Sequence, residues 1–428
     1  MTPQEPVASP SESLVARKDL KTLLHTLTAR AYTLVTQVAL LVASARLLGA
    51  EGRGGYVAAM TWASMVATLG GLSLQPAVLR RATLHVGRPW VGSSLGTLLG
   101  ACGLVTFGGL TVTAVAYKLT GGAIVAHCDG PTTLVGCMAI PFLVWEQYEA
   151  GLLMATGRLA LYNRAQLIGR TFGLIAGISV MLLGGRVIGL IATQTIAQAM
   201  VASIGIRSLW SGAGERVRFS WRVLWELASD GLKAHPNSVG MMLIASSNTL
   251  VLSVKAGAAI TGQFHLAGQA AAVLQLFPQA ATQILYGKVT GLGPAAAWRS
   301  QKRLLHAVTL VLMVAAGAAA LVAPWAIPLA FGDDFRPSVY VFQWLMLPAV
   351  GSGFAMMLAP QNVGRGNFLL VSSVALGTGL LTLGLSTYLV PLFGRNGALA
   401  ASVASGALGT VIAIGYYIWF EFLSRREE

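Results

Sequence analysis

Charged residues are scarce in this chain. They fill 10% of its 428 positions, against about 25% in a soluble domain. That is too few to clothe a water-facing surface, so lipid must cover most of the molecule. Acids are scarcer still, 15 against 29 Lys and Arg. The net charge of +14 would suggest nucleic acid in a soluble protein. Here the cations gather at the ends of apolar runs, where they set topology, and no basic domain or aromatic-basic platform exists. Nucleic acid is therefore excluded as a partner. Cys102, Cys128 and Cys137 are the only cysteines. They show neither C-x-x-C nor disulfide-framework spacing and read as buried thiols. Also missing are H-E-x-x-H, G-x-S-x-G, Walker A and G-x-G-x-x-G. The one sizeable loop on the non-basic side, 118–131, is small and apolar apart from Lys118, His127 and Asp129. The chain therefore reads as a non-enzyme that calls for no cofactor and no metal.

What the sequence does contain is apolar length. A hydrocarbon core of about 30 Å needs about 20 apolar residues per helix. Twelve such runs occur, at 23–47, 54–79, 91–117, 132–155, 163–184, 187–209, 224–253, 261–286, 304–330, 337–359, 368–391 and 396–421. Residues 1–22 are polar, with Pro3, Pro6 and Pro10, and read as a disordered tail. The first run lacks an A-x-A-like end, so it is expected to act as an uncleaved anchor. With the N-terminus inside, 19 Lys and Arg fall on the cytoplasmic side and seven on the other. That bias predicts an even number of crossings with both termini cytoplasmic.

The longest charged connection divides the chain in two. The expected organisation is a tail (1–22), a six-helix bundle (23–210), a cytoplasmic linker (211–223), a second six-helix bundle (224–421) and a tail (422–428). A shift of 208 residues aligns Gly49 with Gly257, Gly54 with Gly262, Tyr56 with Phe264 and Arg80 with Lys288. Six crossings per half put both copies the same way up, a parallel repeat with the site between the halves. The fold class is therefore all-α, two pseudo-symmetric six-helix bundles around a central cavity. Gly92, Gly96 and Gly100, and likewise Gly173 and Gly177, have the spacing that lets helix backbones approach closely in lipid.

Ionisable residues inside apolar runs are the first functional candidates, because a central charge costs about 2.5–3.5 kcal/mol to insert. Arg30 shares a helix face with Thr26, Thr33 and Gln37. It either lines a cavity or snorkels to the headgroups. Arg170 shares a face with Asn163 and Gln166. It either lines the cavity or pairs with Glu146 or Glu149, which if unpaired would carry a proton. Asp230 and Lys233, three apart, can pair with each other. Pro236 should kink that helix. Beyond it lies Asn248, and the next run brings Gln275, Gln279 and Gln283, amides suited to sugar or to interhelical bonding. Arg30, Arg170 and Lys233 all sit about two turns from the cytoplasmic side. Converging, they would make a cationic pocket for phosphate, which arginine's planar fork suits.

The stretch Arg46, Leu48, Gly49, Ala50, Glu51, Gly52, Arg53, Gly54, Tyr56 resembles the first loop and second helix of the polysaccharide flippases of the multidrug/oligosaccharidyl-lipid/polysaccharide superfamily. Ala50 replaces the usual Pro. Gly157-Arg158 with Tyr162-Asn163, Phe331-Gly332 with Phe335, and Gly394 with Gly397-Ala398 extend the resemblance over nearly the whole chain. Many relatives carry an Asp near Asn248, and its absence here puts cation coupling through that position in doubt. The resemblance implies alternating-access movement of a polyprenyl-diphosphate-linked oligosaccharide to the outer leaflet of a bacterial inner membrane. Arg30 and Arg170 would bind the diphosphate. Gln37, Lys233, Asn248, Gln275 and Gln279 would line the cavity, and Glu146, Glu149 and Asp230 would serve ion coupling or ion pairing. Membrane lipids are implied partners, with room for other polysaccharide-assembly proteins. The alternatives are a cation-coupled drug exporter of the same superfamily and a non-transporting membrane partner of polysaccharide synthesis.

Overall fold

A computed structural model describes residues 10–427 apart from 86–88, 126 and 127, with side chains from residue 32 onward except 290 and 427. Among the described residues there is no strand. Fourteen α-helices run in chain order: α1 (Pro10–Gly70), α2 (Leu74–Leu84), α3 (Val91–Thr120), α4 (Gly130–Cys137), α5 (Ile140–Ala155), α6 (Leu159–Leu182), α7 (Arg186–Ser211), α8 (Trp221–Lys255), α9 (Ala258–Ala272), α10 (Leu276–Leu292), α11 (Pro294–Phe331), α12 (Arg336–Gly364), α13 (Phe368–Phe393) and α14 (Arg395–Glu427). Nine continuous stretches among them are long and apolar enough to cross a bilayer. The twelve runs of the sequence map onto them for two reasons. α1 holds two crossings, because Gly49 (φ 67°, ψ −175°) breaks it in the middle. Two other crossings are split into short pieces, α4 with α5, and α9 with α10 around the 3-10 turn Val273–Gln275. Only 17% of the most apolar window of α11, and of α13, is buried inside the protein. The remainder is surface that only lipid can cover.

Two boundaries differ from the sequence reading. α1 begins at Pro10, well before residue 23; proline's fixed φ is suited to a first helical position, so part of the expected polar tail is helical. The second run, 54–79, is not one helix. It breaks after Gly70, where Leu72 (φ 49°) and Ser73 (φ 51°) adopt left-handed backbone. That conformation is costly for residues other than glycine and persists only where neighbours fix it. Here α8 supplies them. The Ser73 hydroxyl donates to Ser238 Oγ (2.8 Å) and lies 3.1 Å from His235 Nδ1. α8 itself stays helical through Pro236.

The repeat is written in backbone angles. Gly49 and Gly257 both have positive φ (67° and 86°), as do Gly122 and Gly332, Gly157 and Gly366, and Gly184 and Gly394, each pair 208 to 210 residues apart. The same connections therefore turn by the same left-handed glycine in both halves. The halves meet at a reciprocal crossing. A Cβ on Gly54 would fall 1.7 Å from the Ala258 carbonyl oxygen, and one on Gly262 would fall 2.3 Å from that of Ala50. Ala50 and Ala258, like Gly54 and Gly262, are 208 apart, so each copy seats its glycine on the other's backbone. Leu41, Ala45 and Ala50 of α1 accordingly belong to the apolar core of the second half, with Leu252, Leu266 and Phe335.

The glycine stripes behave differently from each other. Gly173 and Gly177 do face a helix, α7, and Gln194 Nε2 donates to the Gly173 carbonyl (2.8 Å). Gly92, Gly96 and Gly100 face the linker between the halves instead. Glu215, Arg218 and Phe219 lie against them. The Glu215 carboxylate accepts from Ser93 N (2.9 Å) and Ser93 Oγ (3.1 Å) in the first turn of α3, where free N–H groups and the helix dipole favour an anion. The linker is thus a strap fitted to α3.

Candidate functional site

Two seams and one cavity hold the charged groups that bear on the junction of the halves and on the sequence candidates. At the basic face, α2 is latched to α8. Arg80 and Lys233 Nζ (2.9 Å) both donate to Asp230, and Arg81 (2.5 Å) and Arg222 (3.1 Å) both donate to Glu226. Four cations thus share two carboxylates across the junction of the halves. Nearer the middle, Met65 of α1 packs on Met242 and Leu243 of α8, an apolar plug between the halves.

The opposite seam is built by the sequence around Gly49. Arg46 donates from Nε to the Ala330 carbonyl (2.8 Å) and from a terminal nitrogen to that of Leu329. These are last-turn carbonyls of α11, a natural seat for a cation. Arg53 falls between the apolar runs 23–47 and 54–79 and so reads as a loop residue, and the structure corrects this. Its side chain is 2% exposed. It donates to Ser44 Oγ (2.5 Å) and to Gln269 Oε1 (3.1 Å), tying both crossings of α1 to α9. The break at Gly49 places Arg53 in a helix and not in a loop. Its repeat partner, Thr261, is also fully buried; that pairing is the signal the sequence held. Residues beside the motif pieces at 331–335 and 394–398 meet here too: Gln263 donates to the Asp334 carbonyl (2.8 Å) and accepts from Arg395 (3.1 Å).

The cavity lies within the first half, between α5, α6 and α7. It measures about 160 Å³ and is lined by Glu146, Glu149, Gln166, Arg170, Gln194 and Gln198, among others. Gln166 Nε2 donates to Glu146 Oε1 (2.9 Å). Glu149 is completely buried, and neither oxygen has a hydrogen-bond partner. Arg170 Nε and Gln198 Oε1 are likewise buried and unsatisfied. A second cavity of about 610 Å³, between α11, α12 and α14, is apolar except for Thr309, Gln343 and Thr410.

The structure places the sequence candidates as follows. The Arg30 side chain lies outside the described residues. Gln37 and Gln279 are exposed. Gln275 donates to the Ala349 carbonyl (2.7 Å) beside the 3-10 turn that splits its crossing. Asn248 lines neither of these cavities. It is 4% exposed, donates to Ser402 Oγ (2.7 Å) and accepts from Ser386 Oγ (2.7 Å), joining α8 to α13 and α14. Arg170 and Lys233 do not converge: Arg170 lines the first-half cavity, while Lys233 is exposed and paired with Asp230 at the α2–α8 seam. Depth along a helix is legible in sequence, but facing is not, and the two cations face different helices.

The sequence matches no protein-family model and no curated protein. Its similarity is to solved structures. A multidrug resistance MATE family transporter of the MOP superfamily, in an inward-facing conformation, aligns with TM-score 0.72 at 14% identity, covering 92% of this chain and 95% of that one. The lipid II flippase MurJ, in an inward closed conformation, aligns with TM-score 0.75 at 12% identity over 94% and 90%. A MOP superfamily transporter from Pyrococcus furiosus aligns with TM-score 0.55 at 15% identity over 93% and 96%. At such identities the likeness establishes the fold alone, the twelve-helix architecture these structures share; the long apolar stretches of the chain make it a multi-pass membrane protein.

Proposed function

We propose that this protein is an alternating-access transporter whose cargo is a lipid carrying an anionic headgroup, a polyprenyl diphosphate bearing sugar. The observation that carries this reading is the α2–α8 seam. Four cations there share two acids at the junction of the halves, leaving an excess of positive charge where the halves must part. A diphosphate can displace Asp230 and Glu226 from Arg80 and Arg81, supplying the paired acceptors that guanidinium groups prefer. Loading would then unlatch the basic face. The reciprocal glycine crossing keeps the opposite face shut until the halves rock about it. In this reading the basic face is cytoplasmic, the membrane is the bacterial inner membrane, and residues 23–210 and 224–421 move as the two bodies. The resemblance around Gly49 and the likeness of fold to a lipid II flippase support it.

The direct test is a leaflet assay with purified protein in vesicles and a lipid-linked oligosaccharide. Transfer above protein-free vesicles is expected, and none would sink the reading. A second reading, export of an apolar organic cation, is favoured by one observation, the nearly apolar 610 Å³ cavity between α11, α12 and α14. Saturable, drug-dependent uptake without lipid transfer in the same vesicles would select it.

A further inference from the structure

The strap between the halves commits its one acid and leaves its cations in the open. Of the four charged residues in 211–223, Glu215 is held by Ser93 at the start of α3. Arg222 shares Glu226 with Arg81. Arg216 and Arg218 are exposed, and among the described residues neither has a carboxylate partner. Their backbone, by contrast, is fixed. A Cβ on Gly92 would fall 3.0 Å from the Arg216 carbonyl oxygen, and one on Gly96 would fall 2.5 Å from that of Arg218. Ser220 N donates to Thr97 Oγ1 (3.2 Å). The glycine stripe thus seats the main chain of the strap on α3, and the two guanidinium groups are left facing outward.

The strap ends in exposed aromatic rings. Phe219 lies on Gly100 and meets Trp221 edge to face, ring centroids 4.9 Å apart. Trp221 is 69% exposed and Trp225, one turn further on, is 78% exposed. Both belong to the first turns of α8, which is long and apolar enough to cross a bilayer. The rings therefore sit at the end of a crossing, where Trp is enriched at the boundary between hydrocarbon and water. Gly96 to Gly100 is about 6 Å of helix, close to the depth of one headgroup layer. Arg218 is thus held one headgroup above the rings, and Arg216 one turn further out.

We propose that the strap is a docking surface for anionic phospholipids of the surrounding bilayer. Phe219, Trp221 and Trp225 are set at the hydrocarbon boundary, and Arg216, Arg218 and Arg222 take the phosphate groups. A guanidinium offers a phosphate two parallel N–H bonds. Acidic lipid matches both parts of the surface: phosphate at the height of the arginines, an apolar phase at the height of the rings, and the net negative charge that zwitterionic lipid lacks. A soluble polyanion would satisfy the arginines and leave the rings in water. Because α3 already holds the strap in place, docking requires little further ordering of the chain. The surface also reaches the α2–α8 seam. Arg222, 89% exposed, is the outer of the two donors to Glu226, so a phosphate that takes Arg222 leaves Glu226 to Arg81 alone.

The measurement uses no cargo, so its outcome is separate from that of the transport reading. The full-length protein would be placed in phosphatidylcholine vesicles containing a minor fraction of brominated phosphatidylglycerol or, in parallel, brominated phosphatidylcholine, whose bromines quench a Trp they touch. Subtracting the signal of the Trp221→Phe, Trp225→Phe double variant isolates these two rings. Half-quenching is expected at about fivefold less brominated phosphatidylglycerol than phosphatidylcholine, the effect of one cation near an acidic surface. Arg216→Gln with Arg218→Gln should abolish that preference. Arg303→Gln, which removes an exposed cation of α11, should leave it unchanged. Glu215→Ala adds a positive charge but unfastens the strap from α3, so the preference should fall. Should the arginine double variant not reconstitute, Arg218→Gln alone should lower the preference at least twofold. The proposal is overturned if the two lipids quench equally in the wild type, or if the preference survives loss of the arginines. It is equally overturned if the preference rises in Glu215→Ala, which would be attraction by charge without a built surface. Erasure of the preference by millimolar inorganic pyrophosphate would assign the arginines to a soluble anion and overturn it as well.

Discussion

The crossing of Gly54 and Gly262 allows a quantitative test of what holds the Gly49 face closed. Ordinary contact begins at 3.4 Å. A methyl group added at Gly54 must therefore push the Ala258 carbonyl back by about 1.7 Å, and one at Gly262 must push that of Ala50 back by about 1.1 Å. Both obstacles are backbone, which cannot rotate aside. Overpacking of this kind costs about 1–3 kcal/mol. Because the strain exists only while the halves touch at this face, it falls on the closed state. The closed-to-open ratio should drop between about fivefold and 150-fold. Cys128 reports on the opening: its Sγ would lie 3.1 Å from a Cβ on Gly55, one residue from the crossing. Burial, with Asp129 beside it, pushes its thiol up to about 11, so little of it is thiolate near neutrality. With a membrane-impermeant maleimide, Gly54→Ala should raise Cys128 labelling severalfold or more, and Gly262→Ala should do so less. Gly103→Ala, whose Cβ meets nothing within 4 Å, should leave the rate unchanged. Unaltered labelling in Gly54→Ala, with an unaltered melting temperature, would refute the claim that this contact is the closure.

Further outcomes follow from the same geometry. In the wild type, Cys128 labelling should rise about tenfold per pH unit from 7 to 10, since a raised thiol pKa lies above that whole range; a plateau below pH 9 would show that the thiol is not buried. Arg80→Ala, which removes an exposed guanidinium, should shift unfolding free energy by only about 1 kcal/mol yet reduce lipid transfer more than tenfold; equal losses of stability and transfer would make the seam merely structural. Asn248→Ala should cost about 1–3 kcal/mol by stranding Ser386 and Ser402, read as a lower melting temperature with no change in cargo dependence. Gly205→Ala, whose Cβ would fall 1.7 Å from Glu149 Oε1, should destabilise by about 1–3 kcal/mol, and Glu149→Ala should relieve much of that loss in the double variant; strictly additive losses would mean that the two do not touch.

Much of the fold is legible in the residues themselves. Scarce charge and twelve apolar runs dictate a membrane bundle, because lipid offers no partner for backbone groups outside helices. The 208-residue repeat is legible because a left-handed turn needs glycine whatever surrounds it, so Gly49 and Gly257 survive as a pair. Arg46 and the Phe331-Gly332 piece can be recognised as motif pieces before it is known that Arg46 bonds the carbonyls of Leu329 and Ala330 just ahead of it. What a side chain faces is a different kind of information. Arg53 reads as a loop cation and is buried. Asn248 reads as a cavity amide and is clasped by two serines. Gly92, Gly96 and Gly100 read as a helix interface and seat a strap. Arg170 and Lys233 share a depth but not a pocket. Composition and spacing act through the bilayer and the local backbone, and these determine which segments cross and where they turn. The rotation of each helix about its axis is set by neighbours hundreds of residues away. Only the tertiary structure could therefore decide that Glu149 is completely buried in a cavity that Arg170 also lines, or that the two halves are latched by four cations and two acids.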